Sequence, residues 1–111
     1  MKNTIKIGGV KRTCRIYKAD GGGDAFTVCF RAFRYDGVLV YPYLGFNEVP
    51  FHPCFGIAQH GESRTPIDGP HLGKRIPFES LNADCQALIL QDLKGHGRGI
   101  EAGDDVVQGS R

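Results

Sequence analysis

The chain contains no tryptophan, a single methionine, no apolar run approaching the length of a membrane helix and no Cys-x-x-Cys pair. A bilayer-crossing helix needs about 18 or more consecutive apolar residues, so the sequence predicts no membrane association. The residues after Lys2 are polar and basic, without a signal-like apolar stretch, which points to the cytoplasm. Four cysteines, Cys14, Cys29, Cys54 and Cys85, stand far apart, each inside a regular or apolar segment. Without a secretion signal they read as buried free thiols rather than disulfides. The run Gly21-Gly22-Gly23 lies between Asp20 and Asp24, which would repel a phosphate, and no Lys-Ser or Lys-Thr dipeptide follows it. It therefore reads as a chain reversal and not as a phosphate-binding loop.

What the chain does have is turn formers and aromatic rings: 16 Gly, 6 Pro, 7 Phe and 4 Tyr in 111 residues. That length suits one domain, residues 1–111, burying about two-thirds of its unfolded surface. A hydrophobic content of 41% and a net charge of +2 exclude the disordered class.

The segment from Ala25 to Tyr43 is apolar on both alternating faces of a strand-turn-strand pattern. Phe26, Val28 and Phe30 fall on one face and Cys29, Phe33 and Tyr35 on the other, because successive strand side chains point opposite ways. A sheet apolar on both sides needs cover twice, yet the sequence predicts one helix. The second cover must come from the sheet curling on itself, from a long loop or from another copy of the chain.

Period-two patterning and turn residues place strands at Thr4 to Ile7, Val10 to Lys18, Ala25 to Tyr35, Val38 to Tyr43 and Cys54 to Gln59. Asp36-Gly37 is a two-residue hairpin signal, and Pro42 marks an edge or a bulge. Residues 61–75 read as a long surface loop, and a last strand is expected near Asp105 to Gln108. Leu81, Cys85, Leu88, Ile89 and Leu93 recur at helical spacing over residues 79–94, with Ser80 as N-cap and Gly95 as the stop. Asn82, Asp84, Gln86, Gln91 and Asp92 would face water. The expected fold is α+β, a curved antiparallel sheet of about five strands packed on this one helix.

Three groups of residues could carry chemistry. The first is aromatic: Tyr41, Tyr43, Phe46, Phe51 and Phe55 share a stretch with three prolines and a single charge, suited to a ligand pocket or a subunit interface. The second is basic. Residues 1–34 hold eight Lys or Arg against two acids, and Lys6, Arg12, Arg15, Arg31 and Arg34 could gather on adjacent strands to bind nucleic acid or another anion. The third comprises His52, Cys54, His60, Glu62 and His71, which include acceptable zinc ligands and the parts of a thiol nucleophile with its base. Their spacing matches no defined metal site, and no cofactor is implied. Taken together, the sequence suggests a small non-catalytic interaction or ligand-binding module that forms a homodimer through the aromatic stretch. Anion or nucleic-acid binding is the alternative, and a metal- or thiol-dependent enzyme using His52, Cys54, His60 and Glu62 is the second.

Overall fold

The structure is a computed structural model and describes residues 3–7, 10–19 and 25–96. The expected strand at Asp105 to Gln108 and the Asp20 to Asp24 turn lie outside these residues. The elements are β1 (Asn3–Ile7), β2 (Val10–Lys18), β3 (Phe26–Phe30), β4 (Phe33–Tyr35), β5 (Val38–Phe46), β6 (Ala58–Ser63), β7 (Lys74–Ile76) and α1 (Ala83–His96). The fold is α+β, an open antiparallel sheet of seven strands with one helix among the described residues. Seven strands fill five rows, because β1 and β7 share one edge of β2, and β3 and β4 share one edge of β5.

Alternation decides what the sheet offers to α1. Cys14 pairs with Phe30, Ile16 with Val28, Val28 with Leu44 and Phe26 with Phe46, so these residues form one continuous face. Leu81, Cys85, Leu88, Ile89 and Leu93 pack on it, and Ile5, Ile76 and Phe78 close its margin. Burying a Leu, Ile or Phe side chain contributes about 1.5–3 kcal/mol, so this interface dominates stability.

Asp36 and Gly37 form the β4–β5 hairpin turn with φ of 54° and 79°, the left-handed pair that a two-residue turn requires. Before it, the single predicted strand from Ala25 to Tyr35 is broken in two. Cys29 pairs with Tyr43 and Phe33 with Val40, so residues 30–32 stand opposite only Tyr41 and Pro42. One extra residue is a β-bulge, and it reverses the alternation beyond it. Phe33 and Tyr35 therefore share the face of Val40 and Leu44, not that of Cys29 as strict alternation predicts. Pro42 is buried in a strand paired on both sides, so it marks the bulge and not an edge.

On the face opposite α1, β2 is covered by a loop. Asp68 lies over β2 and accepts from Arg15 and Tyr17, binding the expected surface loop to the sheet. That loop is shorter than predicted, because β6 takes residues 58–63 and β7 takes 74–76. The fifth strand thus begins four residues later than Cys54, and residues 54–57 belong to the connection before it. Gly73 has φ 108°, and a Cβ there would stand 2.0 Å from the Lys18 carbonyl oxygen, so β7 reaches β2 through a position only glycine suits.

The helix also starts later than expected. Asn82 Oδ1 accepts from the Cys85 amide at 2.9 Å and is the N-cap, whereas Ser80 Oγ donates to the Pro77 carbonyl within a short 3-10 turn. Gly95 lies inside α1 and does not end it. Asp92, expected at the surface, is buried and pairs with His60. Asn82→Ala should therefore cost about 1 kcal/mol in urea unfolding, as loss of a cap does, while Ser80→Ala should cost less than half as much. Equal costs would return the cap to Ser80.

Candidate interaction surface

Between β5 and β6 the chain makes an eleven-residue excursion, 47–57, with no strand or helix of its own. Its backbone is nevertheless fixed. Asn47 Oδ1 accepts from the amides of Val49 and Ile57, both at 3.2 Å, and its Nδ2 donates to the Phe55 carbonyl at 2.8 Å. The Asn47 amide closes the neck of the loop on the Ile57 carbonyl at 3.2 Å. At the tip, His52 Nδ1 accepts from the amides of Cys54 and Phe55, each at 3.0 Å, and its ring lies 4.8 Å from that of Phe55. Asn82 Nδ2 donates to the Glu48 carbonyl at 2.9 Å, and the Cys85 thiol donates to that of Asn47 at 3.5 Å, so α1 anchors the base. Burial raises the Cys85 pKa, with Glu48 and Asp84 adding to it, which keeps that thiol a donor.

On this scaffold the apolar side chains point outward. Val49 is 43% exposed, Phe51 50%, Phe55 71% and Ile57 50%. Of the five aromatic residues the sequence singles out, only Phe51 and Phe55 are on this surface. Phe46 is in the core, stacked on Phe26 at 5.3 Å between ring centroids, and is no site residue. Tyr41 and Tyr43 are half-buried on the sheet face away from α1, and the Tyr43 ring lies over Gly61, where a Cβ would meet it at 2.1 Å. Sequence reasoning missed Val49, Ile57 and Asn47. An Asn opening an irregular stretch, with carbonyls and amides to satisfy, was the available signal.

The basic residues do not form one face. Arg12 shares the α1 side with Ile5, half-buried, its Nε and Nη1 shielded and without a hydrogen-bond partner among the described residues. Arg15 projects to the opposite side and is occupied by Asp68. Arg31 is half-buried, Arg34 is exposed on β4, and Lys6 stands opposite Lys11 in the β1–β2 ladder. The third group is dispersed as well. His52 holds the loop tip, Cys54 is exposed rather than buried, His60 Nε2 lies 2.6 Å from Asp92 Oδ1, and His71 is exposed in the turn at Pro70–Leu72. Among the described residues no three His, Cys, Asp or Glu side chains are grouped to hold a metal ion. All four cysteines are free thiols. Burial pushes Cys14 and Cys29 up to about 12, so neither supplies a thiolate near neutral pH. Among the described residues no helix is long and apolar enough to cross a membrane.

Asp68 is the electrostatic centre of the face away from α1. Arg15 Nε and Nη2 approach its two oxygens at 2.5 and 3.2 Å, Tyr17 Oη donates to it at 3.2 Å, and the Arg75 guanidinium carbon lies 5.3 Å from the Tyr17 ring centroid. Burial pushes the Asp68 carboxyl up, but the hydrogen bond and charge of Arg15, with Tyr17 and Cys29, outweigh it and hold the pKa below its ordinary 3.8. A carboxyl with a lowered folded pKa favours the fold above its unfolded pKa, and that contribution is lost as pH falls through the folded value. Asp68→Asn should therefore lower stability at neutral pH by about 1.5–3 kcal/mol in urea unfolding. It should also flatten the fall in stability below the ordinary carboxyl pKa.

Compared with protein-family models, with curated proteins and with solved structures, the chain matches none.

Proposed function

We propose that the protein is a non-catalytic interaction module whose contact surface is the 47–57 loop, and that it forms a homodimer through that loop. The observation that carries this reading is a backbone held by Asn47, His52 and α1 while Val49, Phe51, Phe55 and Ile57 stand exposed. A loop already ordered loses little further entropy on docking, so its apolar area converts into affinity more fully than that of a flexible loop. Phe residues projecting from a fixed frame are also the type of anchor around which protein interfaces form.

Charge favours a second copy as the partner. Residues 49–57 contain no Asp, Glu, Lys or Arg. Close to the axis of a two-fold contact a group meets its own symmetry mate, so a charge placed there repels itself, and this stretch brings none. The loop covering β2 removes the need for a second copy on the sheet face, and the dimer contact moves to the sheet's end.

Sedimentation velocity at tens of micromolar should show a dimer, and Phe51→Ser with Phe55→Ser should convert it to a monomer of unchanged helical content. Both side chains are exposed, so the fold tolerates the change. A wild-type monomer, or a dimer indifferent to both substitutions, overturns the proposal.

A further inference from the structure

At the edge formed by β2 and β7, beside the start of α1, lies a cleft of about 470 Å³. That volume is within the range of about 300–1,000 Å³ typical of small-molecule sites. Its floor is apolar, made by Phe26, Ile76 and Leu81, and its rim carries Lys18, Lys74 and Glu48. Phe26 and Leu81 are each 6% exposed, so the floor belongs to the packed core and offers a small apolar area.

The two lysines are the unusual feature. Lys18 and Lys74 are directly opposite each other in the antiparallel β2–β7 ladder, and both line the same cleft. Opposite positions bring Cβ atoms within about 4.5–5.5 Å, and like charges placed so destabilise a sheet. On its other side Lys18 pairs with Phe26, so a cationic half of the row runs straight into the apolar floor. The neutral polar groups nearby are already engaged: Ser80 Oγ donates to the Pro77 carbonyl, and Asn82 bonds Glu48 and Cys85. The lysines are thus the rim's charged donors, and with Glu48 the balance is one positive charge.

We infer that this cleft binds an amphipathic carboxylate, its charged end between Lys18 and Lys74 and its apolar tail on Phe26, Ile76 and Leu81. An anion there turns a repulsive pair into two charge-assisted contacts. A tail covers apolar surface that a bare inorganic anion would leave wet. The site shares Glu48 with the 47–57 loop but does not involve the exposed side chains proposed for the dimer.

The test is a titration of the full chain, followed by amide NMR shifts, with octanoate, octylammonium and inorganic phosphate as parallel probes. Octanoate should give saturable shifts at Lys18, Lys74, Ile76 and Leu81, with a dissociation constant on the order of millimolar for so small a ligand. Octylammonium should give none there, and phosphate should bind at least about fivefold more weakly than octanoate. Lys18→Gln combined with Lys74→Gln should weaken octanoate by about tenfold or more. The unliganded double variant should melt no lower than the wild type, because the change relieves repulsion. Any one of four results overturns the inference: no saturable shifts, octylammonium matching octanoate, phosphate matching octanoate, or affinity indifferent to the lysines. A destabilised double variant would likewise overturn it, by showing that the two lysines do not repel each other.

Discussion

Asp68 ties a distant loop to the sheet face that the helix cannot cover. The chain has one described helix for a sheet with two faces, and α1 seals only the face built from Cys14, Ile16, Phe26, Val28, Phe30, Leu44 and Phe46. On the other face, Arg15 and Tyr17 of β2 would otherwise project into water. A carboxylate from a loop more than fifty positions along the chain closes that side by accepting from both. The pair is only partly exposed, at 24% and 29% of the side chains, so its attraction is screened less than that of a surface ion pair. With the loop so placed, β7 is delivered to the β2 edge, and the Lys18–Lys74 juxtaposition follows from it.

The same economy of cover shapes the β5–β6 end. There the chain satisfies its backbone groups within the loop, through one Asn and one His, and leaves its apolar side chains outward. A loop that is well bonded yet buries little of its own apolar surface has its order fixed before any partner arrives. The core and the exposed loop also share a joint: Asn82 caps α1 with its Oδ1 and holds Glu48 with its Nδ2. Helix stability and loop geometry are thereby linked through a single side chain.

Much of this fold is legible in the residues. The strands near 4–7 and 10–18, the Asp36-Gly37 turn and the stripe from Leu81 to Leu93 follow from local periodicity and turn chemistry. Local rules also misled in particular places. Phe33 and Tyr35 changed face because a bulge opposite Pro42 inserts one residue, and nothing in a two-residue period reports an insertion. Ser80 looked like the cap because it precedes the apolar stripe, but Pro77 draws Phe78–Ser80 into a separate turn and leaves Asn82 at the helix entry. Asp92 stands seven residues after Cys85 and four after Leu88, so helical spacing itself sets it on the buried stripe although its side chain is polar, and only the tertiary structure supplies His60 of β6 as its partner. In the aromatic stretch, whether a given ring is core or surface turns on strand parity: Phe46 faces α1, and Phe51 and Phe55 leave the sheet altogether.

By itself the amino-acid sequence determined class and composition: α+β, an antiparallel sheet and, among the described residues, one helix, which is not long and apolar enough to cross a membrane. These properties are local, since alternation, helical spacing and turn residues act over a few neighbouring positions. Tertiary structure alone decided which loop covers the second face, which cations are engaged and which remain on a rim, and which aromatic rings meet water. Those outcomes join residues tens of positions apart, such as Arg15 with Asp68 or Lys18 with Lys74, and contacts at that range exist only once the sheet has assembled.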